Sequence, residues 1–269
     1  MLGHPISHSL SPTLHNAAFA ASGVDWVFVA LDVDAPQADT AIAGVRALGI
    51  DGLSITMPLK EVAAHAVDRL SPAAATLGAV NTVVREGDEL VGYNTDGDGF
   101  LDALRVDHGW DPTGRSCLVF GAGGAARAVV LALAEAGAAD VAVVNRTAAR
   151  AERAVALAGA CGRIGSVADV AGADLVVNAT PIGMAGAGAD GATWDAAVDA
   201  LRGPGQVVVD LVYYPALTPL LAAAQDRGAR PVGGLGMLVH QAAHAFTLWT
   251  GQPAPVSVMA AAAAAALAH

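Results

Sequence analysis

Two groups of residues in this 269-residue chain have the types and spacing for chemistry. One is Gly121-Ala122-Gly123-Gly124-Ala125-Ala126, followed after one helix and one strand by Asn145-Arg146-Thr147-Ala148-Ala149-Arg150. The other is Lys60, the only lysine in the chain, with Asp96 as its natural partner. The glycine run follows Ser116–Phe120, a short apolar stretch of strand character. Gly121 permits a tight turn, Gly123 lets the backbone approach a phosphate, and Ala126 keeps the next helix close to the sheet. That helix, from about Ala125 to Ala136, aims its N-terminal N–H groups and its dipole at an anion, and Gly137 reads as its C-cap. Asp140–Val144 is the next buried strand, with Asn145 and Arg146 at its C-terminal end. A carboxylate there would accept hydrogen bonds from a ribose 2′-hydroxyl, whereas arginine pairs with a 2′-phosphate. The segment therefore reads as a dinucleotide site that takes NADP(H) rather than NAD. A glycine run alone is a weak signal in a chain with 31 Gly. Strand, loop, helix, strand and basic terminus in that order carry the reading.

A hydride transfer between a nicotinamide and an alcohol or ketone needs a group that moves or steadies the proton on oxygen. Lys60 could do this, since lysine is ordinarily a better acid than base at neutral pH. The charge balance adds weight to it. The chain carries 14 Lys and Arg against 25 Asp and Glu, a formal net charge of −11. Such a balance argues against a nucleic-acid surface, which needs a basic stripe. An acidic protein that binds anionic ligands must concentrate its few cations at the site.

The elements that position these residues follow from composition and pattern. The length suggests one large or two ordinary domains, at about 150 residues each. Hydrophobic residues make up 54% of the chain, yet apolar runs break before the roughly 18–20 residues a membrane-spanning helix needs. Val258–Ala268 is mostly Ala and reads as a terminal helix. Nothing at the N-terminus resembles a signal peptide. Cys117 and Cys161 lie far apart and in no metal spacing, so the expected compartment is the cytoplasm. His240 and His244 stand four apart without a third ligand; they read as a helix face, and no metal is expected.

Helix- and strand-like segments alternate through the first hundred residues. Ser11–Ala21 opens with a Ser-Pro helix start. Trp26–Leu31 reads as a strand, Ala35–Leu48 as a helix and Gly52–Thr56 as a strand. A helix follows over Lys60–Ala66, then strands over Val80–Arg85 and Glu89–Tyr93 around the turn Glu86-Gly87-Asp88. A helix from Gly99 to about Val106 leads to Asp111-Pro112-Thr113-Gly114, a boundary signal. Leu175–Thr180 and Gln206–Leu211 are continuous apolar runs, as buried parallel strands should be. Between them Gly183–Thr193 reads as a mobile Gly/Ala-rich loop, and from Gly233 the pattern is helical to the end.

The chain resembles the shikimate dehydrogenase family nearly end to end. The resemblance rests on Gly3–Pro12 (GHPISHSLSP), Thr56-Met57-Pro58-Leu59-Lys60, Ala79-Val80-Asn81-Thr82 and Asn94-Thr95-Asp96-Gly97. In the second half it takes in Gly121–Ala126, Asn145-Arg146-Thr147, Asn178–Met184 (NATPIGM), Gly234–Leu238 and Gln241. It implies an α/β fold of two domains: a substrate-binding catalytic domain over 1–101 and 233–269, and a Rossmann domain over 102–232. The active site is then expected in the cleft between them, with the C-terminal helices returning to the first domain. It implies NADPH-dependent reduction of 3-dehydroshikimate to shikimate in aromatic amino-acid biosynthesis, by a monomer or homodimer with no membrane or nucleic-acid partner.

The resemblance also implies roles. Ser9 and Ser11 would bind the substrate carboxylate with help from Tyr213, while Thr56, Asn81, Asp96 and Gln241 would hold ring hydroxyls. Lys60 and Asp96 would be the catalytic pair, Lys60 giving the proton to the new C3 hydroxyl. Gly121, Gly123, Gly124, Ala125 and Ala126 would cradle the pyrophosphate. Asn145, Arg146, Thr147 and Arg150 would surround the 2′-phosphate, with Thr180–Met184, Gly236 and Met237 on the nicotinamide side. Taken alone, Ser9 and Ser11 read as turn and N-cap residues, and Asp96 as a turn former. Two features depart from the family pattern. Only Met1 and Leu2 precede Gly3 where a full strand is usual, so the strand is truncated or the true start lies upstream. Tyr214 stands where Asn is common. A quinate or quinate/shikimate dehydrogenase, or a silent NADP-binding regulator, are the alternative readings. Arg146 and Ser11 weigh against the first, and retention of Lys60 with Asp96 weighs against the second.

Overall fold

The computed structural model describes residues 1–184 and 191–268. They form two compact units, one of Met1–Gly99 with Leu238–His269 and one of Phe100–Met237.

The first unit begins with β1 (Leu2–Gly3), α1 (Ser11–Ala21), β2 (Leu31–Asp32) and α2 (Ala38–Leu48), the last preceded by a 3₁₀ turn at Ala35–Gln37. Next come β3 (Gly52–Ser54), α3 (Lys60–Ala66), β4 (Arg69–Leu70), α4 (Pro72–Leu77), β5 (Thr82–Glu86), β6 (Glu89–Tyr93) and α5 (Asp96–Asp102). A four-stranded sheet of order β3-β5-β6-β4 is antiparallel across β3, β5 and β6 and parallel between β6 and β4. Its hairpin turns at Gly87, whose φ of +65° suits glycine. β1 and β2 form a separate parallel pair.

The strand expected over Trp26–Leu31 is present only at its end. The Asn16 side chain accepts from Phe28 N at 2.7 Å and donates to Phe28 O at 2.9 Å. A side-chain amide thus satisfies the backbone groups that a neighbouring strand would otherwise pair. The helix expected from Gly99 instead starts at Asp96, because the Asn94 side chain accepts from Asp96 N at 3.1 Å and turns the chain there.

The second unit holds β7 (Ser116–Phe120), α6 (Gly124–Glu135), β8 (Asp140–Val144), α7 (Ala148–Leu157), β9 (Gly162–Ile164) and β10 (Leu175–Asn178). It continues with α8 (Gly191–Asp199), β11 (Val207–Asp210), α9 (Pro219–Asp226) and β12 (Arg230–Gly233). All six strands are parallel in the order β12-β11-β10-β7-β8-β9. This is the doubly wound arrangement, whose order reverses between β7 and β10 and opens a crevice at their carboxyl ends. Apolar clusters lie on both faces, with Val129, Leu133 and Val177 in one and Leu118, Val176 and Val208 in the other. Burial on both sides explains the unbroken apolar runs of these strands. Of the loop expected over Gly183–Thr193, positions 185–190 lie outside the described residues, and the chain is helical from Gly191.

Two final helices, α10 (Leu235–Thr250) and α11 (Val256–Leu267), complete the chain. From Leu238 onward they belong to the first unit, where α11 packs on α1. Trp249 donates its indole N–H to Val83 O at 2.9 Å and lies beside His15 with ring centroids 5.0 Å apart. His15 also stacks on Phe28 at 4.5 Å, and its Nδ1 has no hydrogen-bond partner. Burial in this aromatic nest lowers its pKa to about 3. No helix among the described residues is long and apolar enough to cross a membrane.

Candidate active site

The polar centre of the first unit forms where two helices begin. Lys60 is the first residue of α3 and Asp96 the first of α5. Lys60 Nζ donates to Asp96 Oδ2 at 2.5 Å, with the side chains 17% and 6% exposed. Asn81 Nδ2 donates to the other oxygen, Oδ1, at 2.8 Å and to Thr95 Oγ1 at 2.9 Å. Asn81 Oδ1 in turn accepts from Thr95 N at 2.9 Å and from Thr82 Oγ1 at 2.9 Å. Asp96 is thereby held through both oxygens, and the ammonium is aimed by an acid that cannot swing away. Such a pair can deliver a proton to a fixed point.

Thr56 sits half-buried just before α3, in the turn that includes the cis Met57–Pro58 bond. A Cβ on Gly3 would come 2.3 Å from Thr56 Cγ2, so this approach requires glycine. Ser9 and Ser11 stand at the start of α1, Ser11 buried and Ser9 half-buried. Ser9 Oγ accepts from Ser11 N at 3.2 Å and donates to Met1 Sδ at 3.2 Å. Neither serine is the N-cap residue, a position that Leu10 holds without a side-chain bond. Hydroxyls at a helix N-terminus suit a carboxylate.

Gln241 enters by its backbone. Thr95 Oγ1 donates to Gln241 O at 3.0 Å, while the Gln241 side chain donates to Leu238 O within its own helix at 2.8 Å. Gly99 makes this approach possible, because a Cβ there would lie 2.5 Å from Gln241 N. Thr95 and Asn94 were not singled out by role in the sequence. A polar run (Asn94-Thr95-Asp96) ending a strand is the signal that marks them.

The second unit carries the dinucleotide features. Gly121 follows β7 with φ +110°, and a Cβ on it would meet Ala179 O at 2.9 Å, across the β7–β10 switch. Gly123 takes the N-cap position of α6, and a Cβ there would point into open space. Gly124, Ala125 and Ala126 form the first turn of α6, and Ala126 is fully buried against the sheet. This leaves backbone N–H groups facing room for an anion, which fits a pyrophosphate.

Asn145 follows β8 and donates from Nδ2 to Thr147 O at 3.0 Å, and Thr147 is the N-cap of α7. Arg146 and Arg150 are exposed, and among the described residues neither guanidinium pairs with a carboxylate. In an acidic protein, two uncompensated cations at a strand end fit a 2′-phosphate. Thr180 Oγ1 donates to Asn178 Oδ1 at 2.7 Å, and Met184 is 40% exposed. Gly236 lies in the first turn of α10 (a Cβ there would be 3.0 Å from Asp107 Oδ2), and Met237 packs on the sheet cluster. Tyr213 is half-buried in the segment after β11, and burial raises its pKa. The exposed Tyr214 precedes a cis bond to Pro215. No three His, Cys, Asp or Glu among the described residues are grouped as a metal would need.

Comparison with known proteins bears on these arrangements. Family models described as the shikimate dehydrogenase substrate binding domain and the shikimate 5′-dehydrogenase C-terminal domain match residues 1–83 and 234–264. A third, described as putative NAD(P)-binding, matches residues 109–185. Shikimate dehydrogenase (NADP(+)) of Moorella thermoacetica is 49% identical, covering 96% of this chain and 90% of the relative. The crystal structure of shikimate 5-dehydrogenase from Thermus thermophilus in complex with NADP(H) and shikimate is 39% identical. It superposes with a TM-score of 0.89 and covers 99% of this chain and 98% of that one. Quinate dehydrogenase from Corynebacterium glutamicum in complex with NAD is 32% identical, with a TM-score of 0.86, covering 97% of this chain and 96% of that one. With identity approaching one half over nearly its whole length, the chain belongs to the shikimate dehydrogenase family.

Proposed function

We propose that this protein is an NADP-dependent shikimate dehydrogenase that reduces 3-dehydroshikimate to shikimate, reversibly, in the pathway to aromatic amino acids. The observation that carries the reading is the Lys60–Asp96 pair, held at 2.5 Å with Asp96 fixed through both oxygens. The first unit takes the substrate and the second, over about residues 102–232, takes the cofactor. Ser9 and Ser11 bind the substrate carboxylate at the start of α1, assisted by Tyr213. Thr56, Asn81, Asp96 and Gln241 bind the ring hydroxyls. In the reducing direction Lys60 gives a proton from Nζ to the C3 oxygen, while Asp96 and Asn81 hold both the hydroxyl and the ammonium in place.

NADP(H) would be held by Gly121–Ala126 at its pyrophosphate and by Asn145, Arg146, Thr147 and Arg150 at its 2′-phosphate. Thr180, Met184, Gly236 and Met237 would lie along its nicotinamide half. When bound, it supplies or accepts the hydride. The uncompensated arginines support NADP over NAD, which an NAD-linked quinate dehydrogenase would not need. A silent regulator would need the glycine loop but not a doubly fixed Lys–Asp pair. The protein acts as a monomer or homodimer, and free Cys117 and Cys161 accord with a cytoplasmic setting. Initial rates with shikimate and quinate, each with NADP+ and NAD+, test the reading. We expect shikimate with NADP+ to be preferred by kcat/KM. A folded protein that leaves shikimate unoxidised with NADP+ refutes it.

A further inference from the structure

One buried carboxylate has no part in the scheme above. Asp210, the last residue of β11, is fully buried, and none of the ion pairs among the described residues includes it. Its Oδ1 accepts from Asn178 Nδ2 at 2.9 Å and from Val212 N at 3.0 Å, and its Oδ2 accepts from Thr218 Oγ1 at 2.6 Å. Burial raises its pKa above the ordinary carboxylate range. An apolar residue here would strand three buried donors.

Those donors belong to two different loops. Asn178 ends β10 directly opposite Asp210 in the sheet register. Its amide shapes the segment that follows: Oδ1 accepts from Thr180 N at 3.0 Å and from Thr180 Oγ1 at 2.7 Å, and Nδ2 donates to Ile182 O at 2.9 Å. Gly183, at φ +94°, passes so near that a Cβ would lie 3.7 Å from Asp210 Oδ2. Thr218 closes the other loop, which carries Tyr213, and caps α9 by accepting from Leu221 N at 3.3 Å. The backbone of a third segment is pressed against the same loop: a Cβ on Gly234 would lie 2.2 Å from Leu211 O. All three segments leave the carboxyl ends of neighbouring parallel strands, where such sheets bind their ligands.

We propose that Asp210 is a positioning residue that locks the Thr180–Met184 loop to the Tyr213 loop and so fixes the nicotinamide half of the dinucleotide for hydride transfer. This rests on the dehydrogenase reading. Small displacements of a reacting group cost large factors in rate, so loosening this lock should act on turnover before it acts on cofactor affinity.

Asp210→Asn tests it at constant volume: the new NH₂ either faces the Asn178 and Val212 donors or turns the Thr218 hydroxyl from donor to acceptor, an escape that Thr218→Val does not allow. We expect kcat for shikimate oxidation to fall about thirty-fold and KM for NADP+ to rise a few-fold. The Kd of adenosine 2′,5′-bisphosphate, which probes only the adenosine half, should stay within about twofold of wild type. Thr218→Val should show the same split and Thr218→Ser, which keeps the hydroxyl, should return kcat to near wild type. These two carry the test if Asp210→Asn does not fold. Wild-type turnover in both folded Asp210→Asn and folded Thr218→Val overturns the proposal, as does equal loss of turnover and bisphosphate affinity. A wild-type protein that binds the bisphosphate but does not oxidise shikimate sinks the dehydrogenase reading, and the proposal falls with it before any variant is made.

Discussion

The two units solve opposite electrostatic problems. In the first, the chemically active groups are bonded to one another: Lys60 to Asp96, Asp96 to Asn81, Asn81 to Thr95, and Thr95 to the backbone at Gln241. In the second, Arg146 and Arg150 pair with no carboxylate among the described residues, and the Gly123 position opens on empty space. The difference teaches what each task demands. A group that must place a proton on one atom gains from being fixed before the substrate arrives. A group that must hold an anion has to keep its charge uncompensated until the anion comes.

The largest effect should come from breaking the fixed side. Lys60→Ala should lower kcat by about a thousand-fold or more with a small change in substrate KM, the mark of an interaction made in the transition state. If the loss appears mainly in KM, Lys60 is a binding residue and the contrast between the units weakens.

His15 gives a second, stability-based handle on the first unit. Its folded pKa of about 3 lies below the ordinary value of 6.5, so the native state stays neutral while the unfolded chain takes up a proton. Its contribution is therefore fully present above about pH 6.5 and is lost as pH falls toward about 3, at about 1.4 kcal/mol per pH unit. His15→Phe removes this slope. Urea denaturation at pH 7.5 and 5 should show wild-type stability falling by about 2 kcal/mol relative to the variant in acid. A pH-independent difference would mean that His15 is solvated or partnered.

On the open side, Arg146→Ala should weaken NADP+ about ten-fold while NAD+ is little changed, and added salt should narrow the gap. Equal loss for both cofactors would mean that Arg146 does not meet the 2′-phosphate. The smallest effect is expected for Thr95→Val, at about 1–2 kcal/mol of stability, because Asn81 keeps its bond to Asp96. A thousand-fold loss of activity in that variant would show the chain of bonds to be more tightly coupled than drawn.

Much of this was legible in the chain itself. The run from Ser116 to Arg150 reads correctly as strand, turn, helix, strand and basic end, because each feature is set by neighbours along the backbone. Lys60 stood out by scarcity alone. Other readings failed for identifiable reasons. Trp26–Leu31 has the pattern of a strand, but the Asn16 amide takes the Phe28 backbone groups. α5 begins three residues earlier than its apolar pattern suggests, because a side chain bonded to Asp96 N starts it. Asp210 was read only as part of an apolar run, although a carboxylate closing such a strand is a signal that it must be bonded.

The sequence by itself determined the order of elements, the turn at Gly121, and the residue types able to move a proton or hold a phosphate. These depend on backbone preference, periodicity and charge, which act over a few residues. Only the tertiary structure decided that Lys60 meets Asp96 across 36 residues and that Thr95 reaches Gln241 across 146. It alone set Asn178 opposite Asp210 and left Arg146 without a carboxylate among the described residues. Strand order and register make those choices, and they are fixed by packing among segments distant in the chain.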